Sequence, residues 1–153
     1  IRSLGMLKYG KSCKILKDII LESDFDFERL SAIISLGVIG NKKYNKVLIQ
    51  MLDYEEANIR WDAAIALAKM GDKSGMSIII NLLDRKYYDS YPSMADGSGV
   101  NHDESDNSIY TAIAISQILI DSRFKEKLIY LAENDKNIKI REFALKTLNE
   151  YYK

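Results

Sequence analysis

The single histidine stands among acids: His102, Asp103, Glu104 and Asp106 place one imidazole and three carboxylates within five positions. Such groups are competent ligands for a divalent cation, but the spacing matches no standard metal-binding pattern. Gly97-Ser98-Gly99 lacks the outer frame of the Gly-x-Ser-x-Gly elbow that presents a nucleophilic serine. Cys13 and His102 are far apart in the chain, so no nucleophile–base pair is indicated. No catalytic residue, metal site or cofactor site is assigned from these groups.

Two other sets carry interaction chemistry. Arg29, Arg60 and Arg141 recur at one position of an internal repeat, while Asp53 and Asp84 recur just before the turn between repeats. A row of guanidinium groups can hold anions or fix neighbouring elements in register. Ile109 interrupts the row, which favours a structural ladder of Arg29, Arg60, Arg141, Asp53 and Asp84. The second set is aromatic. Tyr87, Tyr88 and Tyr91 open a stretch, Lys86 to Ser105, that continues through Pro92 and Met94 to Asp96-Gly97-Ser98-Gly99. Tyrosine covers a large area with few torsions to freeze, so these three are candidate anchors for a partner.

The elements that position these groups are legible from Asn58 to Asp84. Ile59, Ala63, Ala64, Leu67, Ala68 and Met70 recur at helical spacing, Gly71-Asp72 stops the helix, and Ile78, Ile79, Leu82 and Leu83 stripe a second one. The motif repeats: Arg29, Ala32, Leu36 and Gly40 match Arg60, Ala63, Leu67 and Gly71, and Arg141, Ala144 and Leu148 match again. Tyr110, Ala112 and Ser116 match Trp61, Ala63 and Leu67, and Ser3-Leu4-Gly5 matches Ser35-Leu36-Gly37. Leu16, Leu48, Ile79 and Leu128 each follow their anchor by 12 residues. Neither helix of a pair can bury its apolar face alone, whereas a stack of pairs can. The spacing predicts one all-α domain over 1–153, with repeats at about 1–23, 26–53, 57–84, 106–134 and 137–152 and an insertion at 86–105. Turns are expected at Tyr9–Ser12 and Gly40-Asn41, with N-caps at Asp26, at Asp106 or Asn107, and at Asn137.

Ile-Arg-Trp-Asp-Ala-Ala-Ile-Ala-Leu-Ala-x-Met-Gly-Asp followed by Leu-Leu-Asp resembles the short HEAT-like repeat named after phycobilisome lyases. The resemblance implies a right-handed α-α superhelix, here of about four and a half helix pairs, whose second helices line an inner surface. On those helices Ile49, Gln50, Ile80, Asn81 and Tyr130 fall at outward or flanking positions and are candidate partner contacts. The resemblance also implies that each repeated arginine bridges to an acid of a neighbouring repeat. The expected function is a non-enzymatic scaffold that binds another protein. The alternatives are a chromophore-lyase-like subunit and a HEAT-like nucleic-acid binder. The metal-dependent hydroxylases of the family use repeated His-Glu pairs, which a chain with one histidine does not supply.

Composition narrows these readings. Lys plus Arg equals Asp plus Glu at 22 each, whereas a nucleic-acid binder usually carries a basic excess. One cysteine excludes an internal disulfide framework and fits a reducing, cytoplasmic setting. No apolar run approaches a membrane span. Ile1, placed by the alignment inside a helix, suggests an N-terminus that lacks its first turns.

Overall fold

Helical periodicity carries through to the computed structural model, which describes residues 2–91 and 102–153, with side chains over 9–91 and 105–153. The described residues form nine α-helices and no strand. They are α1 (Arg2–Glu22), α2 (Asp26–Ile39), α3 (Asn45–Met51), α4 (Ala57–Lys69), α5 (Met76–Leu82), α6 (Arg85–Tyr88), α7 (His102–Ile118), α8 (Ser122–Asn134) and α9 (Ile138–Tyr151). Contacts divide the chain into two compact units, Ile1–Met76 and Ser77–Lys153.

In the first unit the repeat anchors are the core. Ala32, Ile33, Leu36, Leu48, Ile59, Ala63 and Leu67 are buried together with Cys13 and Ile20. Trp61 is also buried. Two backbones come close where small residues permit it. A Cβ on Gly37 would lie 2.7 Å from the Ala66 Cβ, and one on Gly75 would lie 2.7 Å from the Ala64 Cα. The α2–α3 and α4–α5 turns are built from a left-handed glycine followed by an Asx cap. Gly40 has φ 71° and Gly71 has φ 77°; the Asn41 side chain accepts from Lys43 N, and that of Asp72 from Ser74 N.

The same logic corrects the expected turn at Tyr9–Ser12, because α1 runs unbroken through Gly10. Lys11 follows Gly10, so no Asx side chain is there to cap a new helix, and one glycine costs a helix only about 1 kcal/mol. Asp26 is likewise not the cap of α2. It is the first residue of the helix, and its carboxylate turns to Arg29 and to the Tyr54 hydroxyl.

In the second unit Ile79, Leu82, Leu83, Ile109, Ala112, Ile113, Phe124, Leu128, Leu131, Ile140 and Ala144 are buried. Asp121 and Asn137 cap α8 and α9, accepting from Arg123 N and Lys139 N. Neither Asp106 nor Asn107 caps α7, which already begins at His102. The acids at its start favour a helix N-terminus, and the Asp106 carboxylate is held elsewhere.

Candidate functional site

The three repeated arginines share one kind of partner. Arg29 donates to the Ser23 carbonyl, Arg60 Nη1 to that of Tyr54 at 2.7 Å, and Arg141 Nη1 to that of Asp135 at 3.1 Å. Each acceptor lies six residues before its arginine, in the turn between repeats. A guanidinium suits this place because it brings several fixed donors to carbonyls that the preceding helix leaves without an intrahelical partner. Arg29 adds the Ile20 carbonyl at 3.0 Å, and Arg60 adds that of Glu55 at 2.5 Å. Backbone carbonyls are thus the acceptors common to all three, and Arg29 also pairs with Asp26 of its own repeat. Asp84 instead caps α6 and pairs with Lys127 Nζ at 2.7 Å, which lowers its carboxyl from the usual carboxylate range. Asp53 is exposed.

A charged clamp that sequence reasoning missed holds the second unit together. Arg85 Nε and Nη2 reach both oxygens of Asp135 at 2.7 and 2.8 Å, and Nη2 also reaches Asp106 Oδ1 at 2.6 Å. The Asp135 side chain is 1% exposed. Asn137 donates through Nδ2 to Asp106 Oδ2 at 2.7 Å and through its backbone N–H to Asp135 Oδ1 at 2.8 Å. Burial raises the Asp106 carboxyl, but hydrogen bonds from Asn137 and Arg85 outweigh it and hold the group low. The clamp ties the start of α6 to α7 and to the α8–α9 turn. No local signal marks it, since Arg85 and Asp135 are 50 residues apart.

The three candidate tyrosines divide. Tyr88 is buried, donating its hydroxyl to the Leu82 carbonyl at 2.8 Å, and burial pushes that hydroxyl's pKa up. It is a core residue and not an accessible anchor. Tyr87 and Tyr91 are half-buried and pack edge to face with centroids 5.4 Å apart. The rest of the insertion from 92 to 101, Pro92, Met94 and Asp96-Gly97-Ser98-Gly99 included, lies outside the described residues. So do Ile1 and the side chains of His102, Asp103 and Glu104. Among the described residues no group of three or more His, Cys, Asp or Glu is placed to hold a metal ion.

The candidate contacts on the second helices sit on α3, α5 and α8. Ile49, Gln50, Asn81 and Tyr130 are exposed, and Ile80 is half-buried. Sequence reasoning also overlooked a cleft of about 810 Å³ between α8 and α9. Its floor is Ile129, Ala132, Leu145, Leu148 and Tyr152. Tyr152 is fixed there because its hydroxyl donates to the Ser116 carbonyl at 2.6 Å. Leu145 is 53% exposed.

A family model described as HEAT repeats matches residues 13–91. No curated protein matches the sequence. Among the described residues no helix is long and apolar enough to cross a membrane.

Proposed function

This chain belongs to the HEAT-repeat family, and we propose from that premise that it is a non-enzymatic scaffold of the phycobilisome-lyase repeat type that binds another protein in the cytoplasm. HEAT repeats commonly mediate protein interactions. The observation that carries the reading is apolar side chains left exposed on well-packed helices: Ile49 at 38%, Ile129 at 41% and Tyr130 at 59%. Preordered helices need little further ordering when a partner binds, so more of the contact energy appears as affinity. The buried free Cys13 fits a reducing compartment.

Affinity capture tests the reading. The full chain serves as bait beside variants with Ile49→Glu and Gln50→Glu on α3, Asn81→Lys on α5, or Tyr130→Glu on α8. A protein retained by the parent chain and lost from at least one surface variant is the expected result. Identical retention by all of them, or a co-purifying chromophore, would overturn it.

A further inference from the structure

In the first unit, charge is sorted to two opposite edges. Two contacts set α2 and α4 side by side in one direction. The Tyr54 hydroxyl, ahead of α4, donates to Asp26 at the start of α2 at 3.1 Å, and Gly37 late in α2 lies against Ala66 late in α4. The ends at which the chain enters the two helices are therefore neighbours, and so are the ends at which it leaves. The entry edge carries Asp24, Glu28, Asp53, Glu55 and Glu56, all exposed. Its cations Arg29 and Arg60 are turned to backbone carbonyls. The exit edge carries Lys42, Lys43, Lys69 and Lys73, also exposed. Asp72 lies there too, with its carboxylate held by Ser74 N and by Asn45 Nδ2.

Between the edges, α2 presents an apolar stripe to solvent. Phe27 is 80% exposed, Ile34 47% and Val38 74%. Steps of seven and four residues put them on one side of the helix, while Ala32, Ile33, Leu36 and Gly37 are buried on the other. Ser31 and Ser35 flank the stripe, and their hydroxyls donate to the Phe27 and Ser31 carbonyls at 2.9 and 2.8 Å, so these donors stay satisfied when the face is covered. Stacking of repeats leaves this side outside. The register places Asn58 and Lys69 of α4, and Asn107, Ala114 and Ile118 of α7, at the same positions, and all five are exposed. Where α4 carries Asn and Lys at the ends of the row, α2 carries Phe and Val.

We propose that this face pairs with the same face of a second copy of the chain, turned end for end about a two-fold axis that crosses α2. α2 then lies antiparallel on α2, with Phe27 over Val38 of the second copy and Ile34 beside the axis. The same rotation sets the acidic edge of each copy on the lysine edge of the other, for α4 as well as for α2. A parallel pairing would set acid on acid and lysine on lysine, so the charges choose the antiparallel, isologous one. An anionic membrane fits worse, because Asp24 and Glu28 flank the stripe. Lys plus Arg and Asp plus Glu balance at 22 each, which leaves no net repulsion between copies. Two helices roughly 20 Å long and about 10 Å across offer roughly 400 Å², about half of the ~800 Å² per partner of a standard interface, so the pairing is reversible. It uses α2 and α4, whereas the scaffold reading uses α3, α5 and α8, and the two can fail separately.

Sedimentation velocity of the 153-residue chain over about 1 µM to 1 mM should show monomer passing reversibly to dimer and no further. Phe27→Ser with Val38→Ser, at positions already exposed, should raise the dissociation constant at least about tenfold, because the apolar area covered is lost. Asp24→Lys with Glu28→Lys gives α2 cations at both ends, and Lys42→Glu with Lys43→Glu gives it acids at both. Each charge variant alone should dimerise at least about tenfold more weakly than the parent. An equimolar mixture of the two should recover the dimer, since acid then meets lysine at both ends. Added salt should weaken the parent dimer. Circular dichroism checks that the variants stay helical, and if a charge variant does not, the serine variant decides. A monomer throughout, a dimer indifferent to the serine substitutions, a mixture no tighter than its components, or growth into longer oligomers would each overturn the proposal. So would pelleting with phosphatidylserine–phosphatidylcholine vesicles that the serine substitutions abolish, since the stripe would then belong to a membrane. If the chain stays monomeric while capture still depends on Ile49 or Tyr130, the pairing is wrong and the scaffold stands. If it dimerises as described while capture fails, the scaffold is wrong and the pairing stands.

Discussion

In residues 2–76, Gly37 lies on Ala66 and Gly75 on Ala64, and two turns are left-handed glycines with Asx caps. In residues 77–153 Gly97 and Gly99 lie outside the described residues, and Arg85 gathers Asp106 and Asp135 while Asp121 and Asn137 cap their helices. Both units bury the same repeat positions: Ala32 and Ala63 in one, Ala112 and Ala144 in the other. The apolar register therefore sets which face of a helix turns inward. It does not set how the helix ends are closed, and backbone proximity and a charged clamp are two solutions to that problem. The first demands small side chains at two contacts. The second demands that every polar member stay paired.

The largest effect should come from breaking the clamp. Arg85→Met leaves the buried Asp135 carboxylate without its guanidinium, and such a loss typically costs about 3–5 kcal/mol. Urea unfolding measures it, and a cost below about 1 kcal/mol, the range of exposed pairs, would make the clamp a surface feature. Next comes the backbone contact of the other unit. Gly75→Ala should cost about 1–3 kcal/mol by overpacking, because the added carbon meets the Ala64 backbone. Gly10→Ala is its control. It sits inside α1 with nothing within 4 Å of the new carbon, so it should stabilise by about 0.5–1 kcal/mol. The same sign for both substitutions in thermal melts would refute the close-approach reading.

Acidity should sharpen the comparison by a smaller amount. Hydrogen bonds from Ser74 lower the Asp72 carboxyl, and the Lys127 hydrogen bond lowers that of Asp84. Each folded carboxyl binds its proton less readily than the unfolded one. The stability it contributes is present above the unfolded value, near 3.8, and is lost as pH falls through the lower folded value. Asp62 has the opposite sign, because burial raises its carboxyl. Its unfavourable contribution develops as pH rises from the unfolded value through the folded one. Asp62→Asn should therefore stabilise the protein at neutral pH and leave it little changed at pH 3, read by melts at the two pH values. The smallest effect belongs to the outer face of α9. Lys146 is exposed, and Lys146→Ala should stay within about 0.5 kcal/mol of the parent.

Burial was legible because it follows a local period. Leu48, Ile79 and Leu128 recur in step and are all fully buried, and Asn137 caps α9 as its place before an apolar run implies. The polar partners were less legible. An arginine can be placed on a helix face from spacing alone, but whether a carboxylate or a carbonyl is within its reach depends on the path of the preceding turn. That is how Arg29, Arg60 and Arg141 come to hold carbonyls. Tyr88 reads as a loop aromatic only until the short helix α6 turns it inward. The Arg85 clamp is set by residues distant in sequence, with Arg85 and Asp135 50 residues apart.

The charged clamp is the central claim, and a double-mutant cycle read by urea unfolding tests it most directly. Arg85→Met, Asp135→Asn and the double variant should show a coupling of at least about 1 kcal/mol between the two positions. Strictly additive losses would contradict it.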